Sequence, residues 1–173
     1  MRDNRIGQCR LDTEIGAVGL AWTASAVCAV RLPDDATRDL RTSGARPDFV
    51  DRAREGIRAL LAGAPEDLGD VPVDFASVRA FDLSVYRVCR SIAVGATLTY
   101  GQVAARLGAP HAAQAVGRAM ARNPVPIIVP CHRVVGTGWL GGFSGAGGTS
   151  TKLRILQIES VHGRDAFQTA LPI

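Results

Sequence analysis

The chain has 173 residues, 47% of them hydrophobic and 21% charged, which indicates a globular protein and excludes a disordered chain. No apolar run approaches the roughly 18 residues of a membrane span, and the N-terminal segment lacks the apolar stretch of a signal peptide. We therefore expect a cytoplasmic protein with no membrane partner. Its four cysteines include no C-x-x-C pair and the first half has no histidine, so neither disulfides nor a structural zinc site is expected.

Charge is distributed unevenly along the chain. Residues 1–80 carry 11 arginines against 13 acidic residues, a net −2, whereas residues 81–173 carry nine basic residues against three acidic ones, a net +6. Nineteen of the 20 basic residues are arginines, whose planar guanidinium suits phosphates and base edges, although a high-GC codon bias would produce the same excess. The segregation favours a nucleic-acid partner for the second half.

The first 80 residues are predicted to form a small α/β scaffold domain. Short apolar runs that alternate with Gly, Ser and Thr over residues 7–33 predict an antiparallel meander of strands. Residues 34–47 are charged and are predicted to be a surface loop. Apolar positions three and four residues apart predict an amphipathic helix over residues 48–61, ending near Gly63. One more strand is predicted at Val73, Phe75 and Val78.

The composition shifts near residue 80, where we place a domain boundary, and residues 81–160 are predicted to be mainly helical. The first helix of this part is predicted over residues 81–92 and ends before Gly95. Its predicted inner face consists of Phe81, Val85, Val88, Cys89 and Ile92.

Two short helices are predicted next. Thr99 is suited to cap the first, which Gly108 closes, and residues 111–123 predict the second. The pair matches a helix-turn-helix, although an ordinary helical hairpin in a core fits the pattern equally well. In a helix-turn-helix, the predicted face toward DNA is Gln114, Gly117, Arg118, Ala121 and Arg122.

The segment 123–135, NPVPIIVPCHRVV, has three prolines within seven residues. Each proline fixes φ and removes a backbone donor, so the segment cannot be a regular helix or a central strand. A rigid path that ends on Cys131, His132 and Arg133 is suited to display a reactive thiol; the alternative is an inert core cysteine. Because neighbours in an extended segment point to opposite sides, His132 is expected to reach Cys131 through a water. Glu159 is the best candidate for the carboxylate that orients the imidazole.

A thiolate beside this histidine and arginine is expected to have a lowered pKa. Downstream, residues 136–148 hold seven glycines and are predicted to be a loop that can approach a ligand closely. A final helix is predicted from a cap at Ser150 or Thr151 to Glu159. Residues 161–173 are predicted to be a poorly ordered tail.

The segment 123–135 resembles the active-site signature of the O6-alkylguanine-DNA alkyltransferases, also called methylated-DNA–protein-cysteine methyltransferases. The similarity extends from about Phe81 through Glu159, because Thr99-Tyr100-Gly101, Ala115-Val116-Gly117, the glycine-rich loop and the final helix follow in the family's order. Residues 1–80 resemble the family's N-terminal domain only loosely. The resemblance implies an α+β fold: a small N-terminal α/β domain with antiparallel strands, then a mainly helical domain with a winged-helix-like helix-turn-helix.

The resemblance implies irreversible transfer of an alkyl group from guanine O6 to Cys131, with no cofactor and one turnover per protein. Since O6 is buried by pairing and stacking, the base must be rotated out of the duplex. The implied partner is double-stranded DNA containing O6-alkylguanine, bound by a monomer. The main alternative is a non-catalytic sensor of alkylated DNA, a class that typically lacks the cysteine; a transcriptional regulator and a cysteine hydrolase are less favoured.

The resemblance also implies roles for single residues. Tyr100 matches a tyrosine that helps rotate the phosphate and offers its hydroxyl near guanine N3, and Ser144 matches a serine beside O6. His132 and Glu159 match a water-linked relay, and Asn123 matches the side chain that ties down the turn. The implied residues are Cys131, His132, Glu159, Tyr100 and Asn123 for catalysis, Ser144, Val134, Arg133 and Lys152 for the substrate, and Gln114, Gly117, Arg118, Ala121, Arg122 and Thr99 for DNA.

The chain departs from the family pattern at three places. Gln114 stands where the family usually has an arginine that fills the gap left by the rotated base, so weaker trapping of the base is expected. Our hypothesis is that Arg118, one turn further on, substitutes for that arginine. Phe143 stands where a tyrosine is common, and the loop before Lys152 is two residues longer, which leaves the role of Lys152 open.

Overall fold

The computed structural model describes residues 5–160 and confirms the predicted α+β fold. Three strands come first: β1 (Gly7–Thr13), β2 (Gly16–Trp22) and β3 (Val27–Arg31). The helices are α1 (Asp35–Arg38), α2 (Asp48–Leu61), α3 (Ala80–Arg90), α4 (Tyr100–Arg106), α5 (Ala113–Ala121) and α6 (Gly148–Ser160). Two short strands, β4 (Leu98–Thr99) and β5 (Val134–Val135), and a 3-10 turn (Cys131–Arg133) complete the described elements. Within residues 5–160, no helix is long and apolar enough to cross a membrane.

The predicted meander and the predicted helix over residues 48–61 are both confirmed. Strands β1, β2 and β3 form an antiparallel sheet in that order, and α2 packs against β1 and α6. Pro47 gives α2 no side-chain cap. A cap contributes about 1 kcal/mol, whereas burying one large apolar side chain contributes about 1.5–3 kcal/mol. Packing therefore holds α2, through Val50, Ala53, Ile57, Leu60 and Leu61.

Two predictions for the first 80 residues were wrong in part. The predicted loop 34–47 contains α1, because the side chains of Asp34 and Thr37 cap each other's backbone N–H in a reciprocal capping box. The predicted strand is only a single bridge between Val73 and Val27. Pro72 has no N–H with which to continue a ladder at this point.

Helix α3 confirms the buried position of Cys89 but corrects that of Phe81, which is exposed. The inner face of α3 includes Asp82 instead, whose carboxylate is paired with Arg122. The other predicted members of this face are confirmed: Val85, Cys89 and Ile92 are buried and Val88 is partly buried. A hydrophobic pattern does not reveal a buried charge, so the sequence assigned Phe81 to this face and missed Asp82. Tyr86, on the same inner face, donates its hydroxyl to the Ala119 carbonyl at 2.9 Å and ties α3 to α5.

Helices α4 and α5 have the predicted helix-turn-helix order. Thr99 Oγ1 accepts the Gln102 N–H at 3.1 Å, and Gln102 Oε1 accepts the Thr99 N–H at 2.7 Å, so the predicted cap is present as a capping box. Gly108, at φ +71°, takes the left-handed conformation that ends α4. Helix α5 buries Val116 and Ala119 against its neighbours.

The strands β4 and β5 pair in parallel, with Leu98 opposite Val134. This pairing, which the sequence did not predict, places the thiol-bearing segment beside the start of α4. Helix α6 begins at Gly148, so the predicted cap at residue 150 or 151 is wrong; Thr151 instead donates its hydroxyl to the Ala146 carbonyl at 2.8 Å. The predicted tail, residues 161–173, lies outside the described residues.

The buried apolar core runs without a break across the predicted boundary near residue 80. Side chains from β1, β2 and α2 join those from α3, α4, α5 and the proline-rich segment. The division into domains at this residue stays a prediction.

Candidate active site

The proline-rich segment 123–130 is a tight turn that Asn123 holds closed. Asn123 Oδ1 accepts the Val125 N–H at 3.0 Å, and Asn123 Nδ2 donates to the Val129 carbonyl at 2.8 Å. Buried Ile127 takes a left-handed φ of +76°, a conformation that costs a β-branched residue about 1–2 kcal/mol. The turn therefore stores strain, and the two hydrogen bonds of one amide side chain oppose its release.

Cys131 follows this turn at the start of a 3-10 turn, so the expectation of an extended segment at the thiol is wrong. Its N–H donates to the Val129 carbonyl at 2.8 Å, which fixes the backbone at the thiol. Burial raises the pKa of the Cys131 thiol, while the Asn123 amide and the Lys152 charge oppose that rise. The predicted lowering of the thiol pKa is wrong, because Cys131 is only 6% exposed and desolvation outweighs the polar neighbours.

The raised pKa predicts a steep pH dependence of thiol reactivity. Because the thiolate is the nucleophile, alkylation of Cys131 by iodoacetamide is expected to accelerate by almost tenfold per unit between about pH 7 and about pH 9. Mass spectrometry of the separate cysteine peptides measures this rate, with half-buried Cys28 as an internal control. A Cys131 rate that is already maximal at pH 7 would contradict the raised pKa.

Behind the thiol, one carboxylate of α6 binds two side chains of the 3-10 turn. Glu159 Oε1 lies 2.9 Å from His132 Nε2, which is the predicted pairing of imidazole and carboxylate. Arg133 donates to the same carboxylate from Nε at 2.9 Å and from Nη2 at 2.8 Å. Its Nη1 donates to the Ile92 carbonyl at 2.7 Å. All three charged or polar side chains are buried. The structure thus places the guanidinium of Arg133 on Glu159 and away from the cleft lining.

The protonation states follow from this burial. Burial lowers the pKa of His132, so the imidazole is neutral near pH 7. Burial alone would raise the pKa of Glu159, but His132 and Arg133 outweigh it and hold that pKa at about 2. Neutral His132 then donates its Nε2–H to Glu159. Its Nδ1, which has no hydrogen-bond partner within the described part of the chain, is left with a lone pair that can accept a proton.

A cleft of about 530 Å³ opens beside Cys131. One wall is α5, with its small residues Gly117 and Ala121, and the other is the glycine-rich loop, with Ser144. The remaining lining residues are Tyr100, Ala113, Gln114, Met120, Trp139, Gly142 and Phe143. Such a cleft, mainly apolar and bounded by a helix and a loop, is suited to an aromatic ligand.

Lys152 supports the loop wall from within. Its ammonium is buried and donates to the Val134 carbonyl at 2.6 Å and to the Gly142 carbonyl at 3.2 Å. Burial lowers the pKa of Lys152 to about 8. The Tyr100 hydroxyl reaches the same Gly142 carbonyl at 3.5 Å. Lys152 therefore fixes the loop and the residue after the 3-10 turn relative to α6.

The residues predicted to face DNA are not all equivalent in the structure. Gln114, Arg118 and Ala121 are exposed on α5, and Gly117 is half-buried against the Tyr100 ring. Arg122 is bonded to the Asp82 carboxylate through Nε at 2.9 Å and Nη2 at 2.8 Å, so its guanidinium is directed toward α3. The side chain of Thr99 is occupied as the cap of α4. Their contacts with DNA stay predictions.

The structure adds residues that sequence reasoning missed. Arg31, Leu32 and Asp34, from the end of β3 and the start of α1, line a second cavity of about 330 Å³ that also reaches Cys131. No local motif marks them, because only the fold brings β3 to the glycine-rich loop. Trp139 was missed within that loop, although an aromatic residue among seven glycines is a visible signal. No group of three His, Cys, Asp or Glu side chains within residues 5–160 is placed to hold a metal ion.

Comparison with known proteins agrees with this geometry. Residues 80–161 match the model of the 6-O-methylguanine DNA methyltransferase DNA-binding domain. The methylated-DNA–protein-cysteine methyltransferase of Mycolicibacterium paratuberculosis is 35% identical over 154 residues, which cover 88% of this chain and 91% of that protein. This chain belongs to the methylated-DNA–protein-cysteine methyltransferase family.

Solved structures extend the likeness to the whole fold. Mycobacterium tuberculosis OGT in complex with DNA aligns with a TM-score of 0.73 and 34% identity, covering 89% of this chain and 93% of that one. The O6-methylguanine-DNA methyltransferase of Pyrococcus kodakaraensis aligns with a TM-score of 0.66 and 25% identity, covering 88% and 97%. The family fold therefore includes the N-terminal sheet, which the sequence resembled only loosely.

Proposed function

We propose that this chain repairs O6-alkylguanine in double-stranded DNA by moving the alkyl group to its own Cys131. The observation that carries this proposal is the position of the thiol: Cys131, which is 6% exposed, lines a cleft between a helix-turn-helix and a glycine-rich loop. The cleft suits an extruded purine, and the helix-turn-helix suits the duplex from which it comes. The family relation supports both parts of the proposal.

The transfer is a single in-line displacement. The Cys131 Sγ–carbon bond forms as the bond from that carbon to guanine O6 breaks, and the electron pair leaves with the guanine. The thiol proton passes to His132 Nδ1 through a water. The proton on His132 Nε2 stays on the imidazole and remains hydrogen-bonded to Glu159. The guanine anion takes a proton from solvent, directly or through the Tyr100 hydroxyl, which is reprotonated from solvent, and this restores neutral guanine. His132 then returns the former thiol proton to solvent. The thioether has no low-barrier reversal, so each protein acts once.

The buried charges support this chemistry from behind the cleft. Ionised Glu159 stabilises the imidazolium that forms when His132 accepts the thiol proton. Arg133 keeps that carboxylate ionised and in place. Lys152 holds the Gly142 carbonyl, and with it the loop that faces the base. Ser144 on that loop lines the cleft, and we assign it the contact with O6. No cofactor is needed, since the thiol is both nucleophile and final acceptor.

Delivery of the base depends on α5. In this proposal, Gly117 and Ala121 let the helix approach the duplex closely. Gln114 and Arg118, which are exposed on α5, then occupy the space that the extruded base leaves. Phosphate contacts supply most of the affinity of such complexes, so binding should have little sequence preference and should weaken with salt. We propose that the chain binds as a monomer in the cytoplasm.

Mass spectrometry after incubation with a duplex containing O6-methylguanine tests the proposal. A stable gain of one methylene on the Cys131 peptide is expected, reaching at most one methyl group per protein. Cys131→Ala should abolish the gain, and Cys89→Ala, a second buried cysteine, should retain it. Binding of the duplex without any mass gain supports the non-catalytic sensor, and repeated turnover would indicate a hydrolase.

A further inference from the structure

Trp139 is an exposed aromatic side chain at the mouth of the cleft. Among residues 5–160, three large apolar side chains are exposed: Trp139 at 58%, Ile6 at 49% and Phe81 at 38%. Of these three, only Trp139 also lines the cleft that contains Cys131. A large indole left in water forgoes favourable burial, and an exposed aromatic beside a pocket is suited to cover a ligand.

The loop holds the Trp139 ring in a defined position. The Gly136 N–H donates to the Trp139 carbonyl at 3.0 Å, and Gly138 closes the turn between them with φ +75°. The indole lies directly against the Gly136 backbone, so that a Cβ at Gly136 would overlap the ring. A ring already fixed in this way loses little conformational freedom when a ligand stacks on it.

Among the described residues that line the cleft, no other side chain offers an equivalent surface at its mouth. The α5 wall presents Gln114, Gly117 and Ala121, none of which has an aromatic face. Phe143 packs partly against the core, and the Tyr100 hydroxyl is directed toward the Gly142 carbonyl. Trp139 is therefore the lining residue that combines an aromatic ring with high exposure.

We propose that Trp139 stacks on the extruded alkylguanine nucleotide and holds it beside Cys131. This inference rests on the proposed function and deepens it by naming a positioning residue on the loop side of the cleft. Every nucleobase has a π face, so stacking is tolerant of the base and of its neighbours in the sequence. The contact prolongs the time that the base spends in the cleft. Gln114, on the helix side, is short and neutral and holds the base only weakly.

Intrinsic fluorescence isolates this contact. The chain has two tryptophans, and Trp22 is fully buried with its indole N–H bonded to the Ala45 carbonyl at 3.0 Å, so changes on binding report on Trp139. A Cys131→Ala protein titrated with an O6-methylguanine duplex should show saturable quenching. The same duplex with an abasic site at that position should bind, by anisotropy, without quenching. Equal quenching by both duplexes, or quenching by neither, overturns the proposal.

The rate of methyl transfer gives an independent test of the stacking contact. With Cys131 intact, Trp139→Ala should slow methyl transfer from the duplex by about fivefold to 150-fold, whereas Trp139→Phe should retain most of the rate. Phe81→Ala, which removes an exposed ring away from the cleft, should transfer at the wild-type rate. A wild-type rate in Trp139→Ala overturns the stacking role and leaves the proposed function intact. A wild-type protein that never becomes methylated refutes the function, while the titration, which needs no transfer, still decides the stacking.

Discussion

Replacing Glu159 by glutamine is expected to lower the free energy of unfolding by about 3–5 kcal/mol, because breaking a buried ion pair leaves the other charge uncompensated. Arg133 is buried and spends two of its hydrogen bonds on this carboxylate. The same change removes the charge that stabilises protonated His132, so methyl transfer should also slow. Urea unfolding measures the first effect, and single-turnover transfer to Cys131 measures the second.

Asp82→Asn is the matched control for this prediction. It also removes a carboxylate that is bonded twice to an arginine, but the side chain of Arg122 is 41% exposed and can take up water. The loss of stability should be clearly smaller than in Glu159→Gln, because water can replace the carboxylate as the partner of an exposed arginine. Equal losses of stability in the two variants would contradict the view that burial of Arg133 makes the Glu159 pairing critical.

The free energy of unfolding is expected to depend on pH through the same two buried residues, Glu159 and His132. The pKa of Glu159 is lowered from 4.5 to about 2 in the folded protein, so its contribution is fully present above pH 4.5 and is lost as the pH falls toward 2. Burial lowers the pKa of His132 below its ordinary value of 6.5, so protonation of the unfolded chain below that pH also favours unfolding. Glu159→Gln should reduce the loss of stability below pH 4.5, to which Asp70, whose pKa is lowered by its hydrogen bond to Arg52, still contributes. The variant should keep the step that begins near pH 6.5.

Asn123→Ala is expected to destabilise the protein by about 2–4 kcal/mol, since it removes two hydrogen bonds and leaves the buried Val129 carbonyl without its side-chain donor. These bonds close the turn in which Ile127 has its left-handed φ. A turn that relaxes would move Cys131, and a displacement near 1 Å at a reacting atom slows transfer by about a hundredfold. Thermal unfolding and single-turnover methyl transfer measure the two effects.

Asn123→Asp distinguishes the effect of Asn123 on the stability of the turn from its effect on the reactivity of the thiol. The variant keeps the acceptor for the Val125 N–H but loses the donor to the Val129 carbonyl. Its negative charge lies near Cys131 and should raise the thiol pKa further. The aspartate variant is therefore expected to be more stable than Asn123→Ala and still slow to react at neutral pH. Full reactivity at pH 7 in either variant would show that Asn123 does not position the thiol.

Local sequence patterns were enough to predict several elements. The apolar spacing gave α2 its bounds, and Thr99 with Gly108 marked the start and the end of α4. The three prolines excluded a regular helix or a central strand over residues 124–130, directly before the thiol. The scarcity of acids in the second half singled out Glu159 as the partner of His132. These predictions succeeded because helix caps, glycine turns and proline act within a few residues.

Other predictions failed where the outcome depends on distant partners. Phe81 was assigned to the core because no pattern announces that Asp82 is buried beside Arg122. The thiol was expected to have a lowered pKa from its polar neighbours in sequence, but Arg133 is turned onto Glu159, and burial governs Cys131. Burial and pairing are properties of the packed chain, so composition and spacing do not fix them.

The sequence by itself determined that a thiol, an imidazole and a guanidinium follow a rigid proline turn, within a basic half that begins near residue 80. Proline and glycine restrict the backbone within a few residues, and the net charge of a segment follows directly from its composition. Only the tertiary structure decided that Arg133 bonds Glu159 and that Lys152 bonds the Val134 carbonyl, both behind the cleft. It also decided that Arg122 pairs with Asp82 and that Trp139 lies at the mouth of the cleft. These outcomes require residues far apart in the chain to meet, because side-chain direction and desolvation exist only once the core has formed.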